Sequence, residues 1–319
     1  MLRPAMKRFS IGTSIGDGFG LIGRRPFAVF AWGLLMLAPT FGAIALMIVV
    51  VMAITMAQMF LQVLAQGSMT GLMVVMGLMT AVNWVVMPPL VGGLFRVVDA
   101  TDRGLPVVAS DVFNAYGRGQ GGKRLILVSL VYSLAYVGFA ALMLLTPLGQ
   151  FFREYFAIAL ATPVGGEPDM VALQALFSKT TPATFLWLPV VAIVMFTWLH
   201  ASMLALATAA LREVDVATAV VAGALAALRN FLPLLGFMLV FLVAGFFVML
   251  LFVVVLGLLL GLLAMASPVL VVLVMLPLML LAMLAAYAML FAFYYHGWRE
   301  IFGLAEDAPA APGEGTLEV

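Results

Sequence analysis

The sequence predicts an all-α, polytopic membrane helix bundle of about six transmembrane helices, and two observations support this fold class. The 66 residues from Asn230 to Tyr295 contain no Asp, Glu, Lys, Arg or His. Since one membrane-spanning helix needs about 20 apolar residues, this run is long enough for two spans and a short turn. Of all 319 residues, 66% are hydrophobic and 9% are charged, whereas soluble domains carry about 25% charged residues.

Apolar runs separated by polar turns predict six spans within a single membrane domain, residues 1–303. Their approximate bounds are 27–56, 72–98, 125–148, 183–211, 232–263 and 269–295. The remaining residues, 304–319, are rich in Ala, Pro, Gly and Glu. That composition is typical of a disordered acidic tail, because it offers little apolar surface to bury.

The distribution of Lys and Arg predicts the orientation of the spans. Thirteen of these residues fall on the side that holds both termini and the segments 96–124 and 212–229, and only Arg153 and Lys179 fall on the other. Loops rich in Lys and Arg stay in the cytoplasm. Both termini are therefore predicted to be cytoplasmic, which requires an even number of spans.

Three similar units, about 10–100, 110–212 and 216–300, follow one another along the chain. Each has a short cytoplasmic interfacial helix, an outgoing span and a returning span, so the spans form three hairpin-like pairs. Units that begin and end on one side are expected to be parallel repeats about an axis along the membrane normal.

The first interfacial segment, residues 10–25, has a one-sided apolar pattern. Ile11, Ile15, Phe19 and Ile22 recur at helical spacing, and five glycines interrupt them. Glycine weakens helix propensity. We therefore expect membrane contact through this apolar stripe to supply much of the order of the segment.

Residue counts argue against an enzyme, and the one sequence motif that resembles a catalytic site is incomplete. The chain has no cysteine and only two histidines, which excludes disulfides and thiolate sites and disfavours a zinc site. Gly117, Gly122 and Lys123 match G-x-x-x-x-G-K, but Arg124 stands where a phosphate-binding loop needs Ser or Thr. No catalytic, cofactor-binding or metal-binding residue is predicted, and the net charge of +1 gives no reason to expect nucleic acid.

Two sets of residues are candidate sites. A basic set at the starts of spans is suited to anionic lipid head groups, although a topology signal explains it equally well. Its members are Arg24, Arg25, Lys123, Arg124 and Arg229. His200 and Asn83 are polar residues inside predicted spans; such residues indicate function by default, but hydrogen bonding between helices is the more ordinary role.

Three short runs give the chain a family resemblance: Pro88 to Gly104, Arg229 to Pro233, and Tyr294 to Phe302. In these runs the chain resembles an uncharacterised family of six-span proteobacterial membrane proteins. More distantly, it is similar to the membrane domain attached to some glycerophosphoryl diester phosphodiesterases. The resemblance covers roughly residues 14–303 and implies a bacterial inner-membrane location, with no catalytic residues to transfer.

Two functional interpretations remain open at this stage. The first is a non-enzymatic scaffold or accessory protein that contacts membrane lipids, a partner protein or a second copy of the chain. The second is a transporter or channel for a neutral or amphipathic solute, since prolines break several predicted spans and transporters use broken helices. An ion-coupled carrier would need a charge deep in the membrane, whereas the only Asp, Glu, Lys or Arg within the predicted spans is Arg96, two residues from the end of the second.

Overall fold

The computed structural model describes residues 8–24, 26–27, 31–32, 68–117, 119, 121–161, 169–212, 214–266, 274 and 289–303. Within these residues the protein is helical and contains no strand, which confirms the all-α class. Predicted spans 27–56 and 269–295 lie mostly outside the described residues, and the tail 304–319 and Arg25 lie wholly outside them.

Ten α-helices and one 3-10 helix are named here among the described residues. In chain order they are α1 (Ile11–Arg24), α2 (Ser68–Asp102), α3 (Gly122–Met143), α4 (Pro147–Ala161), α5 (Met170–Lys179), α6 (Pro182–Phe185), α7 (Trp187–Leu211), α8 (Val216–Arg229), α9 (Phe231–Ala266) and α10 (residues 289–302). A 3-10 helix, Ala109–Tyr116, stands between α2 and α3.

Two helical stretches of the described residues are long and apolar enough to cross a membrane: Gly122–Met143 and Pro182–Leu211. A third would be counted if α8 and the first part of α9, to Val243, formed one span despite a bend of 75°. Large apolar side chains such as Leu134, Val137 and Ile193 are exposed on these helices. Such exposure suits helices whose neighbour is lipid rather than water.

Residues 149–182, the longest stretch between two predicted spans and expected to be a loop, contain helices. Helix α3 ends at Met143, and the chain turns where the hydroxyl of Thr146 donates to the carbonyl of Met143. Pro147 then begins α4, since its fixed φ suits the first helical position. The Asp169 carboxylate caps α5 by accepting from the backbone N–H groups of Val171 and Ala172, so much of the predicted 149–182 loop is helical.

The three predicted interfacial segments form short helices that each pack on a returning helix. The 3-10 helix contacts α2, α8 contacts α7, and α1 contacts α10. Glycines bring the partners close: a Cβ on Gly93 would lie 1.9 Å from the carbonyl oxygen of Val112, and one on Gly223 would lie 2.5 Å from that of Ala201. Backbone thus approaches backbone, as small residues permit between packed helices.

The buried face of α1 differs from its predicted apolar stripe. Ser14 and Leu21 are buried and Gly18 lies under the ring of Phe293, whereas Phe19 is 52% exposed. The physical reason is that a small side chain at position 18 lets α10 approach, and that Ser14 donates a hydrogen bond to Glu300. The stripe therefore faces the protein only in part.

Candidate functional site at the charged end of the helices

Three arginines at helix ends form a closed cycle of contacts. Arg96 Nε donates to the carbonyl oxygen of Ala210 over 3.0 Å, and Arg212 donates to the carbonyls of Phe302 and Gly303. Arg299 donates to Asp102. Arg96 of α2 therefore contacts the end of α7, and Arg212, which follows α7, contacts the end of α10. Arg299 of α10 contacts the end of α2 and completes the cycle. Cations at helix C-termini are stabilising because they meet free carbonyls and the negative end of the dipole.

Arg212 is also held by aromatic rings. Its guanidinium carbon lies 5.6 Å from the ring centroids of both Trp298 and Phe302, a distance at which cation–π attraction operates. The indole N–H of Trp298 in turn donates to Thr208 Oγ1 over 2.9 Å. These contacts fix the end of α10 against α7, and Gly303, with φ of 70°, ends α10 in the left-handed conformation.

Asp102, the last residue of α2, is the centre of the site. One of its carboxylate oxygens accepts from Arg24 Nη2 at 3.1 Å, and the other accepts from Arg299. The Asp102 side chain is only 6% exposed. One nearly buried carboxylate therefore joins α1, α2 and α10, which are distant in the sequence.

Glu300 caps the start of α1 from the other end of the chain. Its carboxylate accepts from the backbone N–H of Ser10 at 2.8 Å and from the hydroxyls of Thr13 and Ser14 at 2.9 and 3.2 Å. A carboxylate at a helix N-terminus satisfies free N–H groups and matches the positive end of the dipole. The order of α1 thus comes partly from α10, and not from membrane contact alone.

An open pocket of about 430 Å³ lies between α1, the end of α2 and α10. Two arginines and three carboxylates contribute to it, so its walls carry both signs of charge. Its lining consists of Thr13, Ser14, Asp17, Arg24, Asp102, His296, Arg299, Glu300 and Gly303. This volume falls in the range of small-molecule sites.

His296 lies in this pocket with one nitrogen unsatisfied. The residue is 5% exposed, and its Nε2 atom is buried without a hydrogen-bond partner among the described residues. Burial lowers the pKa of His296 below its ordinary value of 6.5, against the opposing effect of the Asp102 and Asp17 carboxylates. The imidazole is therefore neutral at pH 7, and with its proton on Nε2 that nitrogen is a hydrogen-bond donor without a partner among the described residues.

We expect the stability of the protein to fall as the pH drops below 6.5, in part because of His296. Its pKa is lowered on folding, so the unfolded chain binds the proton more readily. The contribution is complete above the unfolded pKa and is lost as the pH falls toward the folded one, by at most about 1.4 kcal/mol per pH unit. Thermal unfolding in detergent between pH 7.5 and 5.5 should show a smaller decrease for His296→Gln.

The comparison isolates His296, because the other histidine, His200, is present in both proteins and contributes equally to both pH dependences. An identical pH dependence for the wild type and His296→Gln would contradict the assignment of a buried neutral imidazole at this position.

The predicted basic set is distributed around this end of the protein. Arg24 lines the pocket and pairs with Asp102. Arg124, at the start of α3, approaches the same glycine, Gly121, as Arg96 does. Lys123 and Arg229 are exposed. Only Arg24 of the described members is therefore part of the pocket.

Of the two predicted intramembrane polar residues, the structure describes the side chain of His200 but not that of Asn83. His200 is buried, and its Nδ1 atom shares a hydrogen bond of 2.8 Å with the Tyr294 hydroxyl of α10. The ring of Phe196 packs edge-on against it at 4.3 Å. This is the geometry of a packing contact between two helices. The side chain of Asn83 lies outside the described residues.

Sequence reasoning missed most of the pocket, although one signal pointed to its surroundings. It named no role for Asp102, His296, Arg299 or Glu300, which come together only in three dimensions. The string Arg-x-Val-Asp occurs at both 96–99 and 212–215, and its two arginines have equivalent places in the cycle. Searching for that repeat would have identified two of the three arginines of the cycle.

The fold and composition define an all-helical protein with helices able to cross a membrane, and hence one associated with membranes. Comparison with protein families, curated proteins and solved structures finds no match to this chain. Within the described residues no group of three or more His, Asp or Glu could hold a metal ion. The site is therefore interpreted from its own geometry.

Proposed function

We propose that this protein is a non-enzymatic membrane scaffold or accessory protein that contacts lipid head groups and partner helices at its charged end. The observation that favours this role is the arginine cycle formed by Arg96, Arg212 and Arg299. It fastens the ends of α2, α7 and α10 to one another. A fixed end suits a platform, whereas alternating access needs repeats that move against each other.

The proposal includes the finer topology that the sequence predicts. Six spans would cross a bacterial inner membrane as three hairpin-like units, with both termini and the charged end in the cytoplasm. The cyclic order of the arginine contacts supports three units, since the end of each one contacts the end of the next. The exposed basic residues Lys123 and Arg229 would then lie at the level of the head groups.

A transporter or channel for a neutral or amphipathic solute is the second candidate. The break of 75° between α8 and the first part of α9 favours it, because transporters build their binding sites from interrupted helices. Asn230 stabilises that break: its amide N–H donates to Ala226 and its side-chain oxygen accepts from Phe9 N. A fastened bend of this kind also suits a static scaffold.

Solute flux into proteoliposomes distinguishes the two functions. We expect vesicles containing the purified protein to show the same permeation as empty vesicles for a panel of neutral and amphipathic solutes, while lipids remain bound to the protein after purification in mild detergent. Saturable flux of any solute, lost in the presence of that solute on both sides, would contradict the scaffold function and support transport.

A further inference from the structure

The charged pocket between α1, α2 and α10 has features of a binding site that the scaffold function alone does not require. It is open to the outside and large enough for a small molecule. Two of its carboxylates already have partners in the protein: each oxygen of Asp102 and of Glu300 accepts at least one hydrogen bond. The groups that remain available therefore decide what the pocket can bind.

Positive donors line one part of the pocket. Arg24 and Arg299 are held side by side because each contacts a different oxygen of Asp102. Each guanidinium has five N–H donors, and their side chains are 61% and 38% exposed, so donors remain for a ligand. His296 is also a lining residue, and its Nε2 atom is buried without a hydrogen-bond partner among the described residues. Guanidinium groups with a neighbouring N–H donor suit a phosphate group.

A negative group without a described partner also lines the pocket. The Asp17 side chain lies on the exposed face of α1 and contributes to the lining. With Asp102 and Glu300, it gives the pocket three carboxylates against two arginines. That balance disfavours a purely anionic ligand, since an excess of negative charge repels it. It favours a ligand that carries both a phosphate and a cation.

We propose that this pocket binds a phosphoethanolamine group, with its phosphate on Arg24, Arg299 and His296 and its ammonium on Asp17. The group could be the head group of a zwitterionic phospholipid or a soluble phosphate ester of ethanolamine. Where it is a lipid, the assignment rests on the lipid-binding function proposed above. The lipid preference proposed here differs from the one expected of the basic set, whose positive charge would favour anionic lipid.

Binding is tested with purified protein in detergent by native mass spectrometry, using phosphatidylethanolamine and phosphatidylglycerol at equal concentration. Glycerophosphoethanolamine and inorganic phosphate serve as soluble competitors, which separate a lipid source from a soluble one. We expect phosphatidylethanolamine to bind several-fold more tightly than phosphatidylglycerol. If the head group alone is recognised, glycerophosphoethanolamine should displace the lipid better than inorganic phosphate does. If phosphatidylethanolamine is preferred and neither soluble compound displaces it, the site binds the lipid.

Matched variants test the two halves of the site. Asp17→Asn removes only the negative charge of an exposed side chain and should abolish the preference between the two lipids. Arg24→Gln should weaken binding of both at least tenfold, and Arg24→Lys should restore part of it by keeping the charge. Arg153→Gln changes an exposed arginine of α4 that lies outside both the pocket and the basic set, and it should change neither. Melting temperatures without ligand identify any variant that is misfolded.

The proposal is overturned if phosphatidylglycerol binds as tightly as phosphatidylethanolamine, or if Asp17→Asn keeps the wild-type preference. The proposal would also be overturned if inorganic phosphate and glycerophosphoethanolamine both displaced the lipid and did so equally well. These failures leave the scaffold function intact, because they concern only the choice of head group. Saturable solute flux would instead overturn the scaffold function, whatever the pocket binds.

Discussion

Gly93→Ala should destabilise the protein by about 3 kcal/mol, because overpacking of this kind costs about 1–3 kcal/mol and the obstacle here is rigid backbone. The new Cβ would lie 1.9 Å from the carbonyl oxygen of Val112 and 2.8 Å from its carbonyl carbon. No side-chain rotation can relieve this clash, so the 3-10 helix must move away from α2. The change is measured as a lower midpoint of thermal or denaturant unfolding in detergent.

Gly138→Ala is the matched control for this substitution. Gly138 lies inside α3, and an added Cβ there would meet nothing within 4 Å. Replacing a helical glycine by alanine then gains up to about 1 kcal/mol of helix propensity. The two substitutions should therefore shift the midpoint in opposite directions. A Gly93→Ala protein as stable as Gly138→Ala would contradict the close packing of the 3-10 helix on α2.

Asp102→Asn should have the second-largest effect, about 2 kcal/mol of lost stability. The change removes the negative charge that separates Arg24 from Arg299 and leaves two like charges facing one pocket. Breaking a buried pair costs about 3–5 kcal/mol, but the partly exposed arginines recover hydration, which lowers the cost. The unfolding midpoint of Asp102→Asn, compared with the exposed-residue control Asp17→Asn, measures it.

A double-mutant cycle of Asp102→Asn with Arg24→Gln isolates one of the two ion pairs. Coupling of about 1 kcal/mol is expected if the pair exists, since contacting residues are not additive. Strict additivity would show that the Arg24 side chain does not contact Asp102 in solution, and it would remove this ion pair from the site.

The membrane-associated class was predictable because hydropathy is a local property of the sequence. A helix long and apolar enough to cross a membrane can be identified from about 20 consecutive residues. The turn after α2 is a local feature as well, because Gly104 adopts a positive φ of 75°, a conformation that glycine accepts without steric cost. The helical nature of residues 149–161 was not predicted, because the stretch between two spans was expected to be a loop.

The packing face of α1 could not be predicted from apolar spacing. The stripe of Ile11, Ile15 and Phe19 is more hydrophobic than the face with Ser14 and Gly18. Helices that approach closely use small and hydroxylated residues at their contacts, however, and a hydrophobicity pattern does not register them. Here the close approach of Phe293 to Gly18 decides which face is buried.

The charged site was beyond prediction for a different reason. Ser10 and Glu300 are separated by 290 residues, and Arg24 and Asp102 by 78. Contacts over such distances depend on how the helices assemble, and the sequence alone explains the same arginines as topology signals. Their second role, binding carbonyls and carboxylates across helix ends, becomes visible only in the folded protein.

Single-cysteine labelling tests the central claim, that the ends of the repeated units meet at one cytoplasmic face. The chain contains no cysteine, so each introduced thiol is unique. Leu105→Cys, Ala217→Cys and Val171→Cys place it at exposed positions after α2, in α8 and in α5. We predict that a membrane-impermeant maleimide labels Leu105→Cys and Ala217→Cys only in inside-out vesicles, and Val171→Cys only in intact cells. Labelling of Leu105→Cys and Ala217→Cys from opposite sides would contradict the claim.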